Sequence, residues 1–178
     1  MDRVNQQETA TDIELSWLAG IIDGEGHIGI SRMMSHRDKP TLNPRISIGN
    51  TNVLIISQVC KILDKIPISG HIEKRQKGGK DGEKNWKEAW VVQLSQIEKI
   101  NAFLTKILPF LVGKKAQAEL VQRFTESRMK NRKYGAGYSD EEVSLYQQMA
   151  GLNAKGVNQD PQRLHVDPRL LKPGEGKV

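Results

Sequence analysis

The chain is poor in cysteine and in aromatic residues: one cysteine, Cys60, and three each of Phe, Tyr and Trp among 178 residues. A lone thiol excludes an internal disulfide framework and any zinc site built from several cysteines. The four histidines, His27, His36, His71 and His165, lie scattered without ligand spacing, so no zinc is assigned. No run reaches the roughly 20 apolar residues that a bilayer span requires. The opening MDRVNQQETATDIE has no apolar stretch of the kind a secretory leader carries. These absences predict a soluble intracellular protein with no membrane partner, its host compartment left open. No internal repeat is visible.

What the chain does have is enough apolar matter, 37%, for a packed core, and a length suited to one domain with tails. Its 27 Lys and Arg outnumber 21 Asp and Glu, giving a net charge of +6. Six of the acids and one base fall in the first 25 residues, so the remainder carries 26 bases against 15 acids. That asymmetry, with a pI near 9.4, fits a polyanionic partner such as nucleic acid. A basic solvated surface with no such partner fits it equally.

Thr11 and Glu14 form a capping-box pattern that predicts a helix over 12–24, ended by Gly-Glu-Gly. Asp12 and Glu14 are explained by helix initiation. Alternation predicts strands over 27–35, with Ile28 and Ile30 inward, and over 43–49, with Ile46 and Ile48 inward. A helix follows over 52–65, with Thr51 as a possible cap and Pro67 beyond it. Further strands are expected over 70–77 and 87–95, and helices over 96–106 and 109–131, divided by Pro109. Ser139 and Glu142 open a last helix to about residue 150. The predicted organisation is a flexible terminus over 1–11, a core over 12–131, a C-terminal helix over 132–152 and a loosely ordered arm over 153–178.

Two hairpins interleaved with helices predict an α+β fold: one antiparallel sheet with helices on one side. The other side presents Arg45, Ser47, Glu73, Arg75, Lys77, Lys87 and Gln93. Such a face suits a β-ribbon lying in a DNA major groove, and it also suits ordinary solvated surface. Trp17, Trp86 and Trp90 read as packing residues.

The stretch Leu18-Ala19-Gly20-Ile21-Ile22-Asp23-Gly24-Glu25-Gly26 concentrates the chemistry. Gly20 and Gly24 are four apart and so share a helix face, at a cost of about 1 kcal/mol each relative to alanine. Two glycines on one face imply close approach by another backbone. Glu25 then falls at the helix C-terminus, where the dipole disfavours a carboxylate by roughly 0.3–1 kcal/mol. Were two copies of the helix to pack together, two Glu25 carboxylates at ~5 Å would repel by about 3 kcal/mol at an effective dielectric of about 20. A hard divalent cation such as Mg2+ offsets that. A core helix ending in a solvated acidic turn is the plainer reading of the same spacing.

This stretch resembles the signature of the LAGLIDADG homing endonucleases. It matches seven of nine positions when Asp and Glu are counted together, with Ile21 for Leu and Gly24 for Ala. A second segment, LPFLVGKKAQAELV over 108–121, is similar to the segment with which that family begins a later core helix. The similarity covers about 12–130 and implies an αββαββα core with a saddle-shaped antiparallel sheet, followed by C-terminal helices and a tail. Carried over, Glu25 matches the metal-ligating acid, with Gly24 beside it at the metal. Leu18, Gly20, Ile21 and Gly24 match the helix that forms the dimer interface. Asp23 matches a more structural acid. Lys114 falls where a basic residue approaches the scissile phosphate, with Lys115 the alternative if the register slips. Asn52 falls near a polar residue that orders active-site water, with Asn50 its rival.

One copy of the signature implies a homodimer acting on a long pseudo-palindromic duplex. The implied reaction is divalent-metal hydrolysis of both strands across the minor groove, leaving 3′ overhangs. Mg2+ is the expected ion, with Mn2+ or Ca2+ substituting in binding. Ser31, Met33, Arg45, Ser47, His71, Glu73, Arg75, Lys77 and Gln93 are the expected DNA contacts, with Gly29 and Ser35 further outward positions. Arg45 and Arg75 suit guanine and Gln93 adenine. Arg32 breaks the alternation, so a bulge is expected after Ser31. The basic stretch Arg123, Arg128, Lys130, Arg132 and Lys133 suits phosphate contacts or a solvated helix end. The rival readings are a non-cleaving protein of the same fold, either an RNA-binding intron maturase or a DNA-binding regulator, and an unrelated basic RNA-associated domain.

Overall fold

The computed structural model describes residues 9–34, 40–66, 68, 70–75, 88–131 and 137–153. Helix α1 spans Asp12–Glu25 and opens on the expected box: the Thr11 Oγ1 accepts from the Glu14 N–H at 3.3 Å, while the Thr11 N–H donates to Glu14 at 2.9 Å. Its inner side is Leu15, Leu18, Ala19 and Ile22, at the spacing of a single helix face. Strands β1 (Gly26–Met34) and β2 (Pro40–Asn50) follow, then α2 (Val53–Lys65), β3 (His71–Arg75) and β4 (Ala89–Leu94). Helix α3 spans Ile97–Ile107, a 3-10 turn Leu108–Phe110, α4 Lys115–Asn131 and α5 Asp140–Asn153. Lys65 at the end of α2 holds Glu14 at 2.8 Å, which matches a cation to one helix's C-terminus and an anion to the other's N-terminus. Among the described residues, no helix is long and apolar enough to cross a membrane.

The sheet is wholly antiparallel in the order β1-β2-β4-β3. Residues opposite one another point to the same side, so the pairs Ile28 with Ile46, Ile46 with Leu94 and Ile48 with Val92 define an inner face. All of these side chains are buried, in one core with Ile100, Phe103, Leu104, Val121 and Phe124 of α3 and α4. The outer face follows by parity.

Three sequence expectations change. No bulge follows Ser31: the β1–β2 ladder runs unbroken to Met34 opposite Pro40. Arg32 does take the inner side by parity, but this far along the hairpin it is exposed. Strand β2 begins at Pro40 rather than at residue 43, so Pro40 joins Pro44 within the strand. By the strand's two-residue period the Pro44 nitrogen points the same way as that of Leu42, away from β1. On that side β4 has already ended, because it pairs with β2 only from Ile46 to Asn50, and no ladder bond is lost there. Finally, Pro109 lies in the 3-10 turn, and α4 begins six residues later at Lys115.

The orphaned backbone of Leu42 is satisfied by α5's leading segment. Its N–H donates to the Tyr138 hydroxyl at 2.8 Å, and that hydroxyl donates to its carbonyl at 3.4 Å. The Arg128 guanidinium lies 4.5 Å from the centre of the Tyr138 ring and donates to the Gly137 carbonyl at 3.1 Å. It also meets the fully buried Glu142 at 3.4 Å. Glu142 in turn accepts the Ser139 N–H at 2.7 Å in the expected capping box. Arg128 is thereby a structural residue rather than a free phosphate contact, and Arg123 is engaged with Glu141 at 3.6 Å. Arg132 and Lys133 lie outside the described residues.

Removing the hydroxyl in Tyr138→Phe leaves both Leu42 backbone groups without a partner among the described residues. A loss of about 1–3 kcal/mol is expected. It is read as a lower urea midpoint with unchanged slope; an unmoved midpoint contradicts the assignment.

Candidate functional site

The tip of α1 is fastened to the start of α4 by two reciprocal sets of bonds. The Asp23 carboxylate accepts the N–H groups of Val112 and Lys114, each at 2.8 Å. In return, the Lys114 ammonium donates to the Ile22 carbonyl at 2.9 Å and to that of Asp23. A cation thus covers the negative end of α1, and an anion collects the unpaired amides ahead of α4. Partial burial pushes the Asp23 carboxyl up. The Gly113, Val112 and Lys114 amides and the Lys114 charge together outweigh it, and the net shift is downward.

Beyond the clamp Glu25 ends α1 with its side chain exposed, and Gly26 turns the chain into β1. An added Cβ on Gly26 would stand 2.7 Å from the Ile22 carbonyl oxygen, so glycine is required at this close turn. His27 comes next, on the outer face. Lost hydration around its ring, then the charges of Arg45 and Lys114, hold its imidazole below the usual value.

The outward side of α1 carries Ile13, Trp17, Gly20 and Gly24, while Ile21 lies at its flank, partly buried against the core. Ile13 is 83% exposed and Trp17 38%. A Cβ added at Gly20 or Gly24 would meet nothing within 4 Å, so nothing among the described residues requires glycine at either place. Leu18 does not belong to this stripe. It is fully buried in the chain's own core, because it lies three residues from Leu15 and four from Ile22 on the opposite side. Trp17, read from sequence as packing, and Ile13 take its place. Their spacing of three and seven from Gly20 is the available signal.

On the sheet's outer face the ladder aligns His27 with Ser47, Gly29 with Arg45, Ser31 with Asn43 and Met33 with Thr41. Gln93 joins Ser47 on one side and His71 on the other, and Glu73 and Arg75 share the parity of His71. Lys77, Lys87, Ser35 and Trp86 lie outside the described residues. The Arg45 guanidinium donates to the Gln93 carboxamide oxygen, and its Nε is buried with no partner among the described residues. Asn52 is the N-cap of α2, its oxygen accepting from the Leu54 N–H at 2.9 Å. Asn50 accepts the Asn52 N–H at 2.8 Å, so both oxygens are committed to the turn. Among the described residues no group of three His, Cys, Asp or Glu converges.

This arrangement, a glycine-faced helix leading into a four-stranded sheet with one open face, is the LAGLIDADG homing endonuclease fold. A DNA complex of the archaeal intron-encoded homing endonuclease I-Vdi141I is 19% identical, with 86% of this chain and 93% of that one superposed at a TM-score of 0.61. A complex of the homing endonuclease I-CvuI with the I-CreI target in Mg, its DNA uncleaved, is 20% identical over 87% and 97% at 0.57. The LAGLIDADG meganuclease I-CpaMI on uncleaved DNA is 15% identical, with 86% of this chain covering 50% of that one at 0.58. No protein-family model and no curated protein matches the sequence.

Because the folded Asp23 carboxyl ionises below its ordinary range, its contribution to stability is full above the unfolded value of about 3.9. It disappears as pH falls through the folded value. Urea midpoints of the wild type and Asp23→Asn are therefore expected to differ at pH 6 and to converge below about pH 4. A gap that stays constant down to pH 2.5 contradicts the clamp.

Proposed function

We propose that this chain is a site-specific double-strand DNA endonuclease that works as a homodimer on a long pseudo-palindromic duplex, leaving 3′ overhangs. The observation that carries the proposal is the position of Glu25: exposed at the tip of α1, at the end of an uncovered glycine stripe and at the border of the outer sheet face. Two outward stripes packed about a two-fold axis bring two Glu25 carboxylates together at the point where two outer faces meet. The coverage of I-CpaMI, half of that chain by this one, supports a pairing of two such units.

The donor set fits half of a hard-cation site. One Glu25 carboxylate and the adjoining Gly24 carbonyl would hold Mg2+ together with their symmetry mates, with Mn2+ or Ca2+ as substitutes in binding. When bound, the ion supplies a water of lowered pKa and neutralises charge on the phosphate. The remaining work falls to the protein. The Asp23–Lys114 clamp holds Glu25 in place, and the Lys114 charge faces the phosphate entering beside the helix tip. The outer face offers Arg45 for guanine and Gln93 for adenine, with Ser31, Met33, Ser47 and His71 along the same groove. Glu73 and Arg75 share the strand parity of His71. Asn52 is left to its capping role.

The duplex to test is the uninterrupted sequence flanking the coding locus. A discrete double-strand cut is expected with Mg2+ and none with EDTA. Glu25→Gln is expected to lose at least 10²-fold in cutting while still binding, in line with removal of a catalytic electrostatic group. Cutting by Glu25→Gln at the wild-type rate contradicts the proposal. Metal-independent binding without any cut favours the non-cleaving alternative, a maturase if the bound target is RNA.

A further inference from the structure

Gly29 stands in β1 on the outer face, opposite Arg45 of β2, and is itself buried. A Cβ placed on it would meet the His27 Nε2 at 2.8 Å and Cε1 at 3.2 Å, and the Asn153 Nδ2 at 3.3 Å. The first contacts show that the imidazole lies back along the strand, over the glycine. The last one brings in a residue from outside the sheet. Asn153 ends α5, a helix that packs against α4 and β1. Its carboxamide therefore reaches the outer face from beyond the edge strand. Both His27 and Asn153 are exposed, whereas the glycine floor beneath them is covered.

From this placement we infer that Asn153 is a specificity-determining residue, reading one base edge in the major groove from a niche that Gly29 floors and His27 flanks. The inference rests on the DNA reading of the outer face. A carboxamide presents an acceptor and a donor side by side, the pattern that adenine N7 and N6 complement. A phosphate only accepts and uses half of that capacity. The carbonyl end of α5 also carries partial negative charge, which disfavours a phosphate and leaves a base edge as the better partner. Gly29 is needed because a side chain there would occupy the space of both heads.

The full-length wild type, Asn153→Ala and Asn153→Asp are each used to select bound duplexes from a randomised library. Melting temperatures are compared in parallel. The wild type is expected to fix adenine at one position in each half-site. Asn153→Ala is expected to lose that preference by about 5- to 150-fold while every other position stays as before. Asn153→Asp is expected to move the same position towards cytosine, whose N4 donates to a carboxylate. If both variants select the wild-type sequence at every position, the inference is overturned, whether affinity is unchanged or uniformly reduced. A wild type that enriches no sequence overturns the DNA reading beneath it, and the inference falls with it.

Discussion

The Asp23–Lys114 clamp sets the position of everything that follows α1. A helix whose last turn holds Asp23 and Glu25 and no base has its dipole opposed by its own side chains. The ammonium that corrects this comes from a residue more than 90 positions away in the chain, and the carboxylate that receives α4's leading amides is the same Asp23. Charge-assisted bonds of this kind are short and directional. They fix the angle at which the chain leaves α1, hence where Glu25 projects and where β1 begins.

From that starting point the two-residue period of β1 distributes the rest. Ile28 and Ile30 turn into the core while His27, Gly29, Ser31 and Met33 turn out, and β2 repeats the division across the ladder. A slip by one residue would exchange the faces, burying Arg45 and exposing Ile46, so the apolar core enforces the polar face. The hairpin's far end is secured separately, where Tyr138 replaces the missing neighbour of β2. Its ring is itself held under Arg128, which answers to the buried Glu142.

Much of this was legible in the sequence because the signals are local. Thr11 with Glu14 marked the start of α1, Ser139 with Glu142 the start of α5, and alternating isoleucines the strand faces. The nine residues from Leu18 to Gly26 pointed to the fold itself. What escaped depends on distant partners. Pro109 marks a helix start in the sequence, whereas α4 begins at Lys115, because nothing near Lys115 announces a cap supplied by Asp23. Tyr138 as the completion of β2, and Asn153 beside Gly29, could not be read from local pattern at all. Leu18 lies in the core, where its spacing from Leu15 and Ile22 puts it, rather than on the expected interface side of α1, and the nine-residue motif alone gives no sign of this. Met33 was set behind a bulge that an exposed Arg32 makes unnecessary.

Helix α1 keeps two glycines that no described residue of its own chain requires. Each costs the helix about 1 kcal/mol relative to a good helix former, an expense that the proposed homodimer would offset by packing a second backbone against the same stripe. Sedimentation equilibrium of Gly20→Leu against the wild type tests this most directly. A folded monomer, no less stable than the wild-type subunit, in place of a dimer is the predicted result. A variant that dimerises as the wild type does would contradict it.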